Sequence, residues 1–159
     1  MKRLSILVIC IAILTGACRS AKTDTNARLY RQAIKESMYP ETDKVDTTLI
    51  PLTPDNPGLI KKTINGEEHI LMVTWKAVNY YPDSGSYNTG YYQIWVTAAP
   101  QLLNRFKKES PSDTAMRLKQ LLGLPPNGEY KIFVEFWVKP SDMFRPCPDK
   151  EVTDSRCNT

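Results

Sequence analysis

An Asn-Gly pair between two strand-like segments constrains this chain more than any other feature. Leu59–Ile64 (LIKKTI) leads into Asn65 and Gly66, and Glu67–Lys76 (EEHILMVTWK) follows. Asn-Gly is the preferred sequence of a two-residue type I′ turn, and such a turn fixes the register of the strands that it joins. Both faces of the returning segment carry apolar residues, which is typical of an interior strand. The sequence therefore predicts an antiparallel sheet built on this hairpin.

Two further strands are predicted downstream. Tyr91–Thr97 (YYQIWVT) is the first, and residues 130–139 (YKIFVEFWVK) form the second, which Pro140 ends. In the second strand one set of alternate side chains is wholly apolar, and we expect this set to meet the helices. The other set interleaves charged and aromatic residues.

Apolar residues recur at helical spacing in three other segments, which predicts three helices. The first covers residues 27–38 and the second residues 99–109, where Leu102, Leu103 and Phe106 are expected to face inward. Ser110–Asp113 (SPSD) reads as a capping box with proline at the first helical position, so the third helix should begin there. It should end at Gly123.

These elements define the predicted fold class. We expect residues 27–159 to form a single α+β domain, because 159 residues suffice for one domain and hardly for two. Its centre should be an antiparallel sheet of about four strands with helices packed on one face. A disulfide-closed loop should complete the C-terminus.

The first seventeen residues read as an export signal. Lys2 and Arg3 precede Leu4–Leu14, an almost unbroken apolar run. That run is too short for a transmembrane helix, which needs about 20 apolar residues. Gly16-Ala17-Cys18 then resembles a bacterial lipobox, although Thr15 stands where the pattern usually has leucine. An ordinary cleaved secretion signal is the alternative.

The lipobox resemblance implies a lipid anchor. The leader would be cut before Cys18, whose thiol would receive a diacylglycerol with palmitate-type acyl chains. More than one chain is needed for firm anchoring. Residues 18–26 would then be a lipidated cysteine and a short tether. In proteobacterial lipoproteins an aspartate directly after the cysteine retains the protein in the inner membrane. Arg19 stands at that position here, so the expected location is the outer membrane, facing the periplasm.

Charge argues against one class of partner. Cleavage removes two of the 21 basic residues and none of the 17 acidic ones, which leaves a net charge near +2. A charge this small on a surface of mixed sign does not indicate nucleic-acid binding.

Cys10 leaves with the leader and Cys18 would be acylated, so Cys147 and Cys157 are the two cysteines left to pair. In an oxidising envelope they should form a disulfide that closes an eleven-residue ring and stabilises the fold by roughly 2–3 kcal/mol. The ring is either a staple for the tail or a rigid loop presented to a partner. Their spacing does not suit a redox motif, and with one histidine in the chain no metal site or cofactor is expected.

Aromatic residues supply the remaining functional signal. The segment Asn79–Tyr92 combines tyrosine with Ser, Gly and Asn, a mixture that forms adaptable contact surfaces. Tyr80, Tyr81 and Tyr87 are its candidate binding residues, and Trp95, Trp137 and Glu135 are candidates on the strands. The alternative is that the tryptophans, including Trp75, fill a small core while the tyrosines cover the end of the hairpin.

His69 and Glu135 are the only residues that suggest catalysis, and no catalytic constellation surrounds them. His69 suits a polar position at a strand edge. If the strand face around Glu135 is covered, its carboxylate needs a cationic partner, which should be Lys76, Lys131 or Arg145. Structural ion pairing is therefore the main interpretation, and a small envelope hydrolase working through Glu135 and His69 is the rival.

The last forty residues carry a resemblance. LLGLPP at Leu121–Pro126, FVEFWVKP at Phe133–Pro140 and DMFRPCPD at Asp142–Asp149, with Asp154 and Cys157 after them, resemble a family of small bacterial envelope proteins. The resemblance implies that the strand, the RPCPD corner and the second cysteine form one unit. It implies no catalytic residue.

The sequence thus favours a lipid-anchored envelope protein that acts by binding rather than as an enzyme. The Asn79–Tyr92 segment and the Cys147–Cys157 loop are its candidate contacts. The expected partner is an envelope protein or cell-wall glycan, and inhibition of an envelope-targeting hydrolase is one form that such binding takes.

Overall fold

The computed structural model describes residues 25–39, 41, 43, 45–78, 80–81 and 85–157. The predicted signal peptide and the lipidation site Cys18 lie outside the described residues. The chain divides into two compact units, one formed by Met1–Pro40 and Ser112–Gly128 and the other by Glu41–Pro111 and Glu129–Thr159.

In chain order, the elements are helix α1 (residues 25–37), strands β1 (Lys61–Ile64), β2 (Glu67–Lys76) and β3 (Thr97–Ala98), helices α2 (Ala99–Glu109) and α3 (Thr114–Leu121), and strand β4 (Ile132–Val138), followed by a 3-10 turn (Pro140–Asp142). The first unit holds α1 and α3. All four strands, α2 and the C-terminal loop belong to the second unit. The predicted α+β class with a four-stranded antiparallel sheet is confirmed.

The hairpin turn has the predicted geometry. Asn65 and Gly66 both adopt left-handed backbone conformations, with φ of 53° and 82°. Positive φ at both central residues defines the type I′ turn, whose twist matches that of the flanking strands. The resulting register pairs Ile64 with Glu67 and Lys61 with Ile70.

Strand β2 is the interior strand of the sheet, as predicted. Strand β4 pairs antiparallel with it from Ile70 to Lys76. Its other edge pairs first with β1 and then with β3, so Met72 lies between Ala98 and Phe136. This position explains why both sets of alternate β2 side chains are rich in apolar residues.

The core lies on one face of the sheet, which we call the core face. Its buried cluster consists of Leu59, Ile70, Met72 and Ala98. Partly buried hydrophobic residues pack around that cluster: Ile50, Leu52, Val96, Val138 and Met143. Aliphatic side chains and one methionine therefore form the centre of the core, and no tryptophan takes part in it.

Strand β3 is much shorter than predicted. Only Thr97 and Ala98 pair with β2, whereas the sequence predicted a strand over Tyr91–Thr97. The tyrosines and the tryptophan of that segment stay exposed. Since strand preference reflects packing on a half-buried surface, the exposed residues Tyr91, Tyr92 and Trp95 do not extend the strand.

Two details of the helices also differ from expectation. Helix α3 begins at Thr114 because the Asp113 carboxylate accepts a hydrogen bond from the Met116 N–H at 3.0 Å. Ser110 instead ends α2 in a left-handed conformation, with its N–H donating to the Phe106 carbonyl at 3.0 Å. In α2, Leu103 is exposed rather than inward.

The C-terminal loop is closed by the predicted disulfide between Cys147 and Cys157, whose Cα atoms lie 5.8 Å apart. The loop also pairs with an upstream segment. The Leu49 N–H donates to the Ser155 carbonyl and the Leu52 N–H to the Val152 carbonyl, at 3.1 and 2.8 Å. These bonds attach the tail to the same core as the sheet.

Candidate binding surface

A run of exposed aromatic side chains follows the hairpin, within residues 80–81 and 85–96, which we call the aromatic segment. Trp95 is 69% exposed, Tyr80 80% and Tyr92 84%, and Tyr91 is fully exposed. Burying such side chains is strongly favourable. Four large exposed rings within this segment are therefore candidate contact residues.

Tyr81 anchors this segment instead of contributing to its exposed surface. Its ring makes edge-to-face contacts with Tyr87 at 4.8 Å and with Phe136 at 5.0 Å between ring centroids. Phe136, on β4, lies opposite Met72, so its side chain is on the core face. The half-buried Tyr81 thus joins the aromatic segment to the sheet, and Tyr87 packs beside it.

A tight turn displays the two adjacent tyrosines. The Asn88 side-chain oxygen accepts a hydrogen bond from the Gly90 N–H at 2.8 Å, and the Tyr92 N–H donates to the Thr89 carbonyl at 3.0 Å. Gly90 has φ of 59°, a conformation that glycine adopts without strain. Local hydrogen bonds of this kind order the backbone without burying Tyr91 or Tyr92.

The opposite face of the sheet, which we call the outer face, carries a second group of aromatic residues. Trp75 stacks on Phe133 at 5.6 Å with an interplanar angle of 9°, and it lies 5.1 Å from Tyr130. Nearby, the Lys62 ammonium lies 5.8 Å from the centre of the Trp137 ring. Phe133 is 53% exposed and Trp137 37%.

The alternative that the tryptophans fill the core is therefore wrong for Trp95 and Trp137, which are exposed. Trp75 is half-buried, on the outer face. On the core face Ala98 lies opposite Met72, a position that a tryptophan could not take without overpacking.

Glu135 lies exposed on the outer face, opposite Val73. Two of its three predicted partners are engaged elsewhere, Lys131 with Glu129 at 3.1 Å and Arg145 with Asp154 at 2.6 Å. Because the face is not covered at this point, water solvates the carboxylate and burial demands no partner. The expected ion pair is not formed.

His69 does not approach Glu135. Its imidazole is buried, with Nδ1 2.9 Å from the Glu67 carbonyl oxygen. Val73, opposite Glu135, lies four residues further along β2, which is about 13 Å at the rise of a strand. That distance exceeds the reach of the direct hydrogen bond that an acid–base pair requires.

Arg145 organises the C-terminal loop. Its nearly buried guanidinium donates to the Asp154 carboxylate and to four backbone carbonyls, at distances from 2.6 to 3.3 Å: Ile50, Val152, Asp154 and Arg156. A planar guanidinium with five donors suits such a set of acceptors. Sequence reasoning considered Arg145 only as a partner of Glu135, although the RPCPD motif and Asp154 were both visible.

Three acidic side chains of the same loop lie within 4.8 Å of one another, Asp149, Glu151 and Asp154. They are the only described group whose spacing would allow a metal ion to bind. However, the Asp154 carboxylate accepts hydrogen bonds from Arg145 and from the Arg156 N–H, and that of Asp149 accepts one from the Glu151 N–H. These bonds account for the cluster as part of the loop's own structure.

The structure separates the residues that the sequence singled out. Tyr81 packs against both Tyr87 and Phe136, whereas Glu135 and Trp137 belong to the outer face. Tyr91 and Tyr92, which were not among the candidates, are more exposed than Tyr87. The density of tyrosines around Gly90 was the signal that pointed to them.

No protein-family model, curated protein sequence or solved structure matches this chain. Among the helices of the described residues, none is both long and apolar enough to cross a bilayer.

Proposed function

We propose that this chain is a lipid-anchored protein of the bacterial envelope that acts by binding, with the aromatic segment as its contact surface. The observation that supports the proposal is the exposure of Tyr80, Tyr91, Tyr92 and Trp95 within the aromatic segment. The lipid anchor at Cys18 rests on the sequence resemblance to a lipobox.

Physical chemistry favours a protein as the partner. Tyr and Trp bring large contact area at a low cost in side-chain entropy, and Ser, Gly and Asn between them allow the backbone to adapt. Aromatic side chains of this kind dominate the binding energy of protein interfaces. The anchor at Tyr81 and the turn at Asn88 reduce the ordering cost of binding, because they already hold the backbone.

Cell-wall glycan is the second candidate partner, since exposed rings also stack on sugars. His69 and Glu135 are too far apart to act as an acid–base pair, which argues against the hydrolase alternative. If the bound protein is an envelope hydrolase, binding would inhibit that enzyme. Capture through the aromatic segment would then identify the hydrolase.

Site-specific photocrosslinking in native membranes tests the proposal. A photoreactive phenylalanine analogue replaces Tyr92 in the full chain, and in a matched control it replaces Tyr39, which is 71% exposed and lies outside the segment. We expect a discrete crosslinked protein from position 92 and none from position 39. Identical products from both positions, or none from either, would contradict protein binding by this segment. Retention of the parent on purified cell wall would then favour glycan.

A further inference from the structure

Helix α1 divides lengthwise into an apolar half and a polar half. At about 100° per residue, the apolar side chains fall on one side of the helix. They are Leu29, Tyr30, Ala33, Ile34 and, directly after the helix, Met38. The opposite side is entirely polar and carries Arg28, Arg31, Gln32, Lys35 and Glu36.

The apolar half of α1 is largely open to water. Leu29 and Ile34 are close to half exposed, and Met38 is more exposed still. Removing such side chains from water is favourable, so a surface that covers them would gain free energy. A helix with an uncovered apolar half and a charged opposite half is typical of helices that lie in the plane of a membrane surface.

The predicted anchor at Cys18 brings a membrane close to this helix. Cys18 precedes Thr25, the first described residue of α1, by seven residues, which span at most about 25 Å. An acylated Cys18 would therefore keep α1 within reach of the bilayer. Such a tether raises the effective concentration of lipid around the helix, so a weak apolar contact suffices for binding.

The charge on α1 is complementary to anionic lipid. Residues 25–39 contain three basic side chains and one acidic one. Arg31 borders the apolar half beside Met38, and long basic side chains at such a border reach the headgroups while their stems stay on apolar surface. The one acidic side chain, Glu36, accepts a hydrogen bond from the Gln32 side-chain amide at 2.8 Å and so stays with the polar half.

We propose that α1 lies in the surface of the bilayer that anchors the chain. Its apolar half contacts the acyl chains, and its basic residues contact anionic phospholipid headgroups. The inference rests on the proposed function for the anchor at Cys18, and it does not involve the aromatic segment. It gives the chain a second membrane attachment, which fixes the orientation of α1 as a tether alone does not.

Nitroxide labels on the two halves of α1 test this placement. Ile34→Cys and the matched control Gln32→Cys are labelled in the full chain and reconstituted in vesicles of phosphatidylethanolamine and phosphatidylglycerol. The label reacts with the new thiol, because Cys18 carries the lipid and Cys147 is joined to Cys157. We expect collisions with oxygen, relative to a water-soluble nickel chelate, to be at least about threefold more frequent at position 34 than at position 32.

Mass spectrometry of the same protein reports the lipid on Cys18. An unacylated cysteine would refute the anchor of the proposed function, and this inference with it. In acylated protein, a water-like collision ratio at both positions would overturn the inference alone. Protection of position 34 from both reagents would also overturn it, because a protein would then cover α1.

Charge variants test the choice of anionic lipid. Replacing phosphatidylglycerol by phosphatidylcholine, or combining Arg31→Glu with Lys35→Glu, should lower the preference for oxygen at position 34 by about half or more. Arg156→Glu is the matched control, since Arg156 is exposed and lies outside α1, and it should leave the preference unchanged. A preference that neither the lipid nor the double variant alters would overturn an anionic surface as the partner.

Discussion

Arg145 is the side chain on which the C-terminal loop depends most. Its guanidinium satisfies four carbonyls and the Asp154 carboxylate, and no other residue type presents five donors in this geometry. We expect Arg145→Ala to lower the free energy of unfolding by about 2–3 kcal/mol, because several nearly buried acceptors lose their donor. Arg145→Lys should recover less than half of that loss.

Urea denaturation at neutral pH measures these variants. Arg156→Ala is the control, since Arg156 is exposed and contributes only backbone groups to the loop. Its stability should stay within about 0.5 kcal/mol of the parent. Equal losses for Arg145→Ala and Arg156→Ala would refute the role given to Arg145.

Tyr80 and Tyr81 are neighbours with different roles. Tyr81 packs edge-to-face against Tyr87 and Phe136, so Tyr81→Ala should destabilise the protein by about 2 kcal/mol. Tyr80 lies in water, and Tyr80→Ala should change stability by less than about 0.5 kcal/mol. Thermal unfolding of both variants provides the measurement, and a larger effect at Tyr80 would reverse the assignment of anchor and contact.

At the scale of the elements, one ion pair ties the start of β2 to the chain just after β4. Lys139 lowers the pKa of Glu67 below 4.5 through a hydrogen bond and its charge, and Glu67 raises the pKa of Lys139 above 10.5. The Glu67 carboxylate stabilises the fold at pH values above its usual pKa, and this stabilisation is lost as the pH falls through its lowered pKa. The Lys139 ammonium stabilises the fold at pH values below its usual pKa, and this stabilisation is lost as the pH rises through its raised pKa.

The pair should therefore stabilise the sheet over the middle of the pH range only. We expect Glu67→Gln to lower the thermal midpoint slightly between about pH 6 and pH 9, and the difference from the parent to shrink towards both extremes. Thermal unfolding as a function of pH tests this. A difference that stays constant from pH 3 to pH 11 would point to a cause other than the ion pair.

The disulfide and Arg145 hold the same loop, so their effects should be coupled. Replacing Cys147 and Cys157 by Ser should cost roughly 2–3 kcal/mol, as expected for a ring of this size. Combined with Arg145→Ala, the total loss should be smaller than the sum of the separate losses, because the second change acts on a loop already released. Strict additivity in urea denaturation would indicate that the two devices act independently.

Elements specified by local chemistry were predictable from the sequence, and those that depend on distant partners were not. Asn65-Gly66 defined its turn because both residues tolerate positive φ. The extent of β3 depended on how much of β2 it could pair with, which no pattern within Tyr91–Thr97 reveals. Likewise, both Ser110 and Asp113 are good caps, and only the folded chain shows which one begins α3.

For the whole molecule, the sequence indicated an aromatic binding region but not its arrangement. The aromatic composition of residues 80–95 was visible, and exposure of individual rings was not, because it depends on the small core that Ile70 and Met72 build. Alternation along β4 separated two faces correctly. It did not reveal that the face with Glu135 would remain open to water.

Capture from native membranes tests whether the exposed aromatic residues bind a partner. The parent is compared with a variant in which the four exposed aromatics Tyr80, Tyr91, Tyr92 and Trp95 are replaced by Ala, leaving the Tyr81 anchor intact. A matched control replaces four exposed apolar residues elsewhere, Leu29, Ile34, Met38 and Tyr39. We predict that the parent and the control capture the same partner and that the aromatic variant loses it while its thermal midpoint is unchanged. A partner retained by the aromatic variant would show that the aromatic segment is not the contact surface.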